Sequence, residues 1–335
     1  MKLVVFGTSE FAVPVLEAVA ARHDVVGVVT QPDRPAGRGH RLAATPVKRA
    51  AQARGLRVVT PEKLKPFVDV ARALGGDAFV VASYGKIVPQ TLLDAVPIAF
   101  NVHPSLLPLY RGATPLQSAI RDGRTETGVT IIAMDAGMDT GDVLLHERTP
   151  IGATETYGEL HDRLARRGAE MALEAVDRYA AGTLTRTAQT EIARQLGICD
   201  DEIARTLTRP LSKDDMLMRD GLSAKQMVDL IRSLAPSPGA RTREGFVLYG
   251  RAKILKAHVD PDGPEIPRPL SDPGRMIIVE GKVWIEAIDG LVAVDELVVP
   301  GGKPVTAEEF RNGNRDRTGP AELLPLLRQY RAVVR

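Results

Sequence analysis

Asn101 and His103 lie two residues apart in the apolar run Ile98-Ala99-Phe100-Asn101-Val102-His103. A period of two puts both side chains on one face of a strand. Pro104 ends the pairing, so both polar groups are expected at a strand end, where the loop from Ser105 to Gly112 opens a cleft. Asp139 follows within Met134-Asp135-Ala136-Gly137-Met138-Asp139-Thr140-Gly141-Asp142, a segment too rich in glycine for a helix. A carboxamide, an imidazole and a carboxylate suit acyl transfer. The amide holds a developing oxyanion, the imidazole moves a proton, and the carboxylate orients the imidazole. Each part also has a plain structural reading. A histidine in an apolar strand is often a satisfied core residue, and the Asp139 segment is also a reasonable turn. The chemical reading rests on the three occurring together.

Other chemistries are disfavoured. Gly7-Thr8-Ser9-Glu10 follows the first strand with a single glycine, so the dinucleotide fingerprint of a nicotinamide oxidoreductase is missing. His23, His40, His146, His161 and His258 are scattered without metal-ligand spacing, and the oxygen spacing around Asp139 is not that of a calcium loop; no bound metal is expected. No Ser-His elbow or activated cysteine is evident, so no covalent enzyme intermediate is expected. Cys199 is the only cysteine, which excludes an intramolecular disulfide and suits a reducing cytoplasm. Neither a signal peptide nor a membrane span is expected, and the net charge of +2 says little about partners.

The elements that must position these groups are legible. At 335 residues the chain is long enough for two domains. Apolar strands are predicted at Leu3–Phe6, Val25–Thr30, Phe79–Ala82, Ile98–Val102 and Val129–Ala133. Helical patterns separate most of them, at about 9–22, 46–54 and 116–121. This alternation implies an α/β fold, a Rossmann-like doubly wound and mostly parallel sheet with ligands at the carboxyl ends of its strands. A long amphipathic helix is predicted over 156–181. Residues 189–210 lack a strong period and read as a linker. From 211 the pattern changes to a capped helix after Ser223. Short strands follow at Phe246–Tyr249, Lys253–Ala257, Met276–Val279, Val283–Ile288 and Leu291–Val299, a spacing that suggests a small β-barrel. The expected partition is thus 1–188, a linker at 189–210, and 211–335.

Two basic segments stand out. Thr30 to Pro46 carries Arg34, Arg38 and Arg41 against Asp33 alone, with glycines and prolines that deny regular structure. It reads as a solvated loop or as a mobile loop that grips phosphates. Arg241, Arg243, Arg251, Lys253 and Lys256 form the second cluster, with Glu244 the only acid between them. A basic face on a small barrel suits a nucleic-acid backbone, although a merely solvated face has the same composition.

The elements N-V-H at Asn101–His103, S-L-L-P-x-x-R-G at Ser105–Gly112 and D-x-G-x-D-T-G-D at Asp135–Asp142 resemble signatures of formyltetrahydrofolate-dependent formyltransferases. The stretch Thr30–Gly39, TQPDRPAGRG, resembles the methionyl-tRNA formyltransferase family rather than the sugar or purine enzymes. The likeness is strong over residues 1–188 and weaker through a C-terminal domain that family members fold as an OB-like barrel. It implies Asn101, His103 and Asp139 as catalytic residues, and 10-formyltetrahydrofolate as co-substrate. For the folate it implies Ser105, Leu106, Leu107 and Pro108, with Tyr84, Gly85 and Ile87 lining the pterin pocket. It implies methionyl initiator tRNA as partner, with Arg38 reaching the acceptor stem, and a monomer. Two family elements are absent: Leu211-Ser212-Lys213 runs into Asp214 rather than Ile-Asp-Trp, and Pro236-Ser237-Pro238 replaces Pro-Trp-Pro. Competing readings are a formyltransferase acting on an amino sugar or nucleotide, a formyltetrahydrofolate hydrolase, and a nucleic-acid-binding protein without activity.

Overall fold

The computed structural model describes residues 1–36, 41–219, 221–242, 252–261, 263, 276–279 and 282–313. The chain forms two compact units. The first comprises Met1–Ser118, Glu126–Ile151 and Glu159–Pro210; the second comprises Ala119–Thr125, Gly152–Gly158 and Leu211–Arg335.

The chain opens with β1 (Lys2–Gly7), α1 (Ala12–Ala20), β2 (Asp24–Val29), β3 (Arg34–Ala36), β4 (Arg41–Ala43), α2 (Pro46–Ala53) and β5 (Val58–Val59). It continues through α3 (Val68–Ala73), β6 (Ala78–Ala82), α4 (Gln90–Leu93), β7 (Ala99–His103), α5 (Pro115–Arg121), β8 (Glu126–Ala133) and β9 (Val143–Pro150). Helices α6 (Tyr157–Ala180), α7 (Gln189–Leu196) and α8 (Asp200–Arg205) follow. The large sheet has the order β5-β2-β1-β6-β7-β8-β9. Pairings from β5 to β7 are parallel, and β8 and β9 add antiparallel to the edge. Central strands of a parallel sheet are covered on both faces, which is why Leu3–Phe6 and Ala78–Ala82 are unbroken apolar runs. Phe6 packs on Phe79 with ring centroids 4.9 Å apart and meets Phe67 and Tyr84 edge-on. The strand order reverses between β1 and β6, so a ligand crevice is expected there, at the carboxyl ends beside β7.

Two expectations are corrected. Residues 189–210 are not an irregular linker: they contain α7 and α8 and cluster with the first unit. Both helices are short, and α8 buries no residue, so the sequence shows little periodicity there. Nor is the basic segment 30–46 wholly irregular, because β3 and β4 pair antiparallel over three residues each. Pro35 is tolerated because a two-stranded ribbon has a free edge where no ladder bond is lost.

In the second unit, α9 (Ala224–Leu234) starts at a capping box between Ser223 and Gln226. It packs against antiparallel strands β10 (Ala240–Arg241), β11 (Lys253–Val259), β12 (Met276–Val279), β13 (Lys282–Ala287), β14 (Gly290–Val298) and β15 (Val305–Thr306), with α10 (Ala307–Gly313) last. The core joins Met227, Ile231 and Leu234 to Ile254, Ile285, Val292 and Leu297. The expected strand at Phe246–Tyr249 lies outside the described residues. Arg232 and Asp229, 8% and 5% exposed, form a buried pair at 2.9 Å, and Arg232 Nη1 also donates to the carbonyls of Gly152 and Glu155.

Removing one member of a buried pair strands the other. Arg232→Ala is expected to cost about 3 kcal/mol, softened by the Lys225 contact that Asp229 keeps. Urea unfolding followed through Trp284, the sole tryptophan and buried in this unit, measures it. In the first unit, burial lowers the pKa of His146 on β9, and Arg148 adds to the effect. The folded state therefore favours the neutral ring. Stability is greatest above the ordinary value of 6.5 and falls as the pH drops toward the lowered folded value. His146→Gln should flatten that loss in denaturation midpoints compared between pH 7 and pH 5.

Candidate active site

Strand pairing brings Asn101 level with Val81 and Ile132, and His103 level with Thr130. Both side chains lie on one face of β7, as a period of two requires. Asp139 reaches them from the turn between β8 and β9. Its Oδ1 accepts from Asn101 Nδ2 at 3.1 Å, and its Oδ2 accepts from the Gly112 backbone N–H at 2.9 Å. The same Oδ2 faces His103 Nδ1 at 3.6 Å, an ion-pair distance rather than a hydrogen bond. His103 Nε2 lies 3.0 Å from the Tyr110 carbonyl. A carbonyl only accepts, so Nε2 carries the proton and Nδ1 is the position turned toward Asp139. The ring is 4% exposed, more enclosed than an open strand end suggests. The Asn101 carboxamide gives one N–H to Asp139 and, among the described residues, makes no other side-chain hydrogen bond.

Both turns that shape this centre hold strained backbone. Tyr110 and Asp139 have φ of 60° and 56°, left-handed values that non-glycine residues rarely adopt. Gly112, at φ 110°, lies so close to the strand-like segment at Thr208 that a Cβ would fall 2.1 Å from the Thr208 carbonyl oxygen. Thr208 N–H and Oγ1 both donate to the Arg111 carbonyl, at 2.8 and 3.0 Å. Thr130 Oγ1 donates to the Ser105 carbonyl, and Ser105 Oγ donates to the Leu109 carbonyl. The residues the sequence misses are Gln189 and Thr208, which brace the motif residue Arg111. Arg111 Nε and Nη2 bind Gln189 Oε1 at 3.1 and 2.7 Å. Burial lowers the Arg111 pKa, while the Asp139 and Asp135 carboxylates pull it back. No spacing rule points to Gln189 or Thr208, because their bonds to the Arg111 turn cross 78 and 97 residues.

The expected folate residues fall into two groups. Ser105, Leu107 and Pro108 are buried and shape the loop from within, and Leu106 lies over Gly128 on β8. The Tyr84 ring is a core group against Phe6; burial pushes its hydroxyl up to about 12, so its side chain does not line an open pocket. The cause is the left-handed backbone at Ser83, φ 41°, which breaks the alternation after β6 and turns this aromatic onto the layer of Phe79 and Val81. Its carbonyl instead accepts from Thr8 Oγ1 and Gln31 Nε2, both at 2.8 Å. Gly85 is exposed, and Ile87 is 81% exposed. Among the basic residues, Arg34 is exposed on β3, and Arg241 faces Lys253 directly across β10 and β11. Arg41 belongs to β4. Arg38, Arg243 and Arg251 lie outside the described residues. Among the described residues, no three His, Cys, Asp or Glu side chains form a group that could hold a metal, and no helix is long and apolar enough to cross a membrane.

The fold and the two matching family models define a formyl transferase. The model described as formyl transferase matches residues 1–176, and that of the formyl transferase C-terminal domain matches residues 211–315. The sequence is 42% identical over 326 residues to methionyl-tRNA formyltransferase of Symbiobacterium thermophilum, covering 95% of this chain and 94% of that one. It is 37% identical over 329 residues to methionyl-tRNA formyltransferase of Ectopseudomonas mendocina, covering 97% and 98%. The chain belongs to the methionyl-tRNA formyltransferase family. In fold it also resembles an N-formyltransferase of Helicobacter canadensis solved with folinic acid and dTDP-3-aminofucose. There the TM-score is 0.60 at 17% identity, over 88% of this chain and 98% of that one.

Gly112→Ala should push the Thr208 segment away and pull the Gly112 N–H off Asp139. A misplacement of about 1 Å near reacting groups can cost about 10² in rate, so kcat is expected to fall at least that far in a steady-state formylation assay.

Proposed function

We propose that Asn101, His103 and Asp139 carry out transfer of the formyl group from 10-formyltetrahydrofolate to the α-amine of methionyl initiator tRNA. The observation that carries this reading is the convergence of Asn101 and His103 on one carboxylate, Asp139, at 3.1 and 3.6 Å. The amine lone pair attacks the formyl carbon, and the carbonyl electrons move onto oxygen. Collapse of that tetrahedral species breaks the bond to the folate nitrogen, which gains a proton as the amine loses one. An α-amine titrates at about 7.7–8.0, so a neutral fraction exists at neutral pH without a strong base. The work left to the protein is placement and charge stabilisation. The second N–H of Asn101 donates to the formyl oxygen as it turns into an oxyanion. His103 relays the proton, and Asp139 orients its ring and steadies its charged form. A folate donor is supported by the folinic acid bound in the Helicobacter canadensis enzyme of the same fold.

A tRNA acceptor is supported by family membership and by the placement of cations. Arg241 and Lys253 stand opposite each other on adjacent strands, and among the described residues neither pairs with an acid. Like charges so placed repel, and an acceptor-stem phosphate relieves them. Arg34, exposed on β3, is a second phosphate contact. In sequence, Arg38 and Arg41 extend the first basic segment, and Arg243 and Arg251 extend the second.

Loss of one oxyanion donor typically costs about 10²–10³ in rate. Asn101→Ala is expected to lose kcat by that factor with folate affinity intact, measured by transfer of labelled formyl to charged tRNA; a loss under tenfold removes Asn101 from the role. Formate release without tRNA would instead identify a hydrolase. Arg34→Ala and Lys253→Ala should each raise the KM for tRNA and reduce the slope of log affinity against log salt by about 1, leaving the KM for folate unchanged.

A further inference from the structure

The turn that carries Asp139 is held at its backbone by a side chain from outside both signature loops. Gln189 opens α7 and is 4% exposed. Its Oε1 accepts both Arg111 N–H groups, and its Nε2 donates to the carbonyls of Asp139 and Gly141, each at 2.8 Å. The amide thus has two acceptor sites and two donors, and all four are engaged. The opposite amide orientation would set oxygen against two carbonyls and nitrogen against a guanidinium, so the assignment is unambiguous. These bonds close a ring. Gln189 binds Arg111; the next residue, Gly112, donates to Asp139 Oδ2; and the Asp139 carbonyl returns to Gln189. One of the two carbonyls that Nε2 holds is that of Asp139, which has a left-handed φ of 56°.

We propose that Gln189 is a positioning residue for formyl transfer. It locks the Arg111–Gly112 turn to the Asp139 turn, so that one carboxylate meets Asn101 and the Gly112 N–H together. The inference rests on the role assigned to Asp139 above. Strained backbone persists only where its surroundings over-determine it, and here Gln189 supplies two of the determining bonds. Placement of α7 does not depend on Gln189. Thr187 and Val143 exchange backbone hydrogen bonds at 2.8 and 2.9 Å just before the helix, and Ile192 packs with Leu107, Ile132 and Val143. Removing the amide therefore leaves the helix seated and frees the two turns.

The test is a double-mutant cycle in the full-length chain, with transfer of labelled formyl as the readout. Gln189→Ala is expected to lower kcat by about 10- to 100-fold while the KM for 10-formyltetrahydrofolate stays within about twofold. Gln189→Glu keeps an acceptor for Arg111 but sets carboxylate oxygen against the Asp139 and Gly141 carbonyls, so it should lose as much. Gln195→Ala, at an exposed position of the same helix, should match the unaltered chain. In an Asp139→Asn background, Gln189→Ala should cost less than about threefold, because its effect passes through Asp139. Full activity in Gln189→Ala or Gln189→Glu overturns the proposal. So does the full loss persisting in the Asp139→Asn background, or a lowered melting temperature with kcat unchanged. If Asp139→Asn alone loses nothing, the reading of the site fails, and that result is distinguishable because it needs no Gln189 variant.

Discussion

One carboxylate organises this site. Asp139 gathers an amide N–H from β7, a backbone N–H from the Gly112 turn and the near edge of an imidazole, three groups that the chain delivers from two separate stretches. An ionised carboxylate accepts strong, charge-assisted hydrogen bonds, and in a low-dielectric setting their loss is costly. That makes the position of Asp139 the constraint to which the neighbouring backbone conforms. The left-handed residues at 110 and 139 and the glycine at 112 are tolerable because they set the carboxylate where all three groups meet. The sheet supplies the rigid part of the arrangement, and the turns supply the reach.

Much of this was legible in the chain. β1 and β6 announce themselves as continuous apolar runs because they are covered on both faces, and in β7 the two-residue spacing of Asn101 and His103 fixes their common face. The glycines around Asp139 mark a turn that no helix or strand accommodates. What could not be read was the support. Arg111 belongs to a recognisable motif, yet its partner Gln189 sits in a stretch with almost no apolar period. A hydrogen bond between distant residues leaves no mark in local spacing, and the short helices α7 and α8 bury too few residues to show a stripe. The β3–β4 hairpin escaped for a related reason: three paired residues are too few for alternation to be visible, and proline argued the other way.

Tyr84 shows how burial divides the roles of ring and backbone within one residue. A polar side chain beside a loop invites assignment to a ligand, but its ring completes the aromatic layer of Phe6, Phe67 and Phe79, and its useful polar atom is the backbone carbonyl. Ser105 is similar: a hydroxyl inside a motif that spends its hydrogen bond on the Leu109 carbonyl. Burial alone does not mark such residues, because His103 is 4% exposed; what distinguishes Tyr84 and Ser105 is that their polar or aromatic contacts stay within the loop and the core.

The return of residues 187–208 onto the 111–114 turn sets an order of events. A growing chain acquires Asn101, His103 and Asp139 early, but the segment that seals them arrives only after α6 is complete. Until Thr208 has emerged and settled against Gly112, a nascent chain holds these three side chains without the brace on the neighbouring turn. The contacts that brace the 111–114 turn are therefore completed late in synthesis, near residue 210 rather than at 188, where the motifs run out.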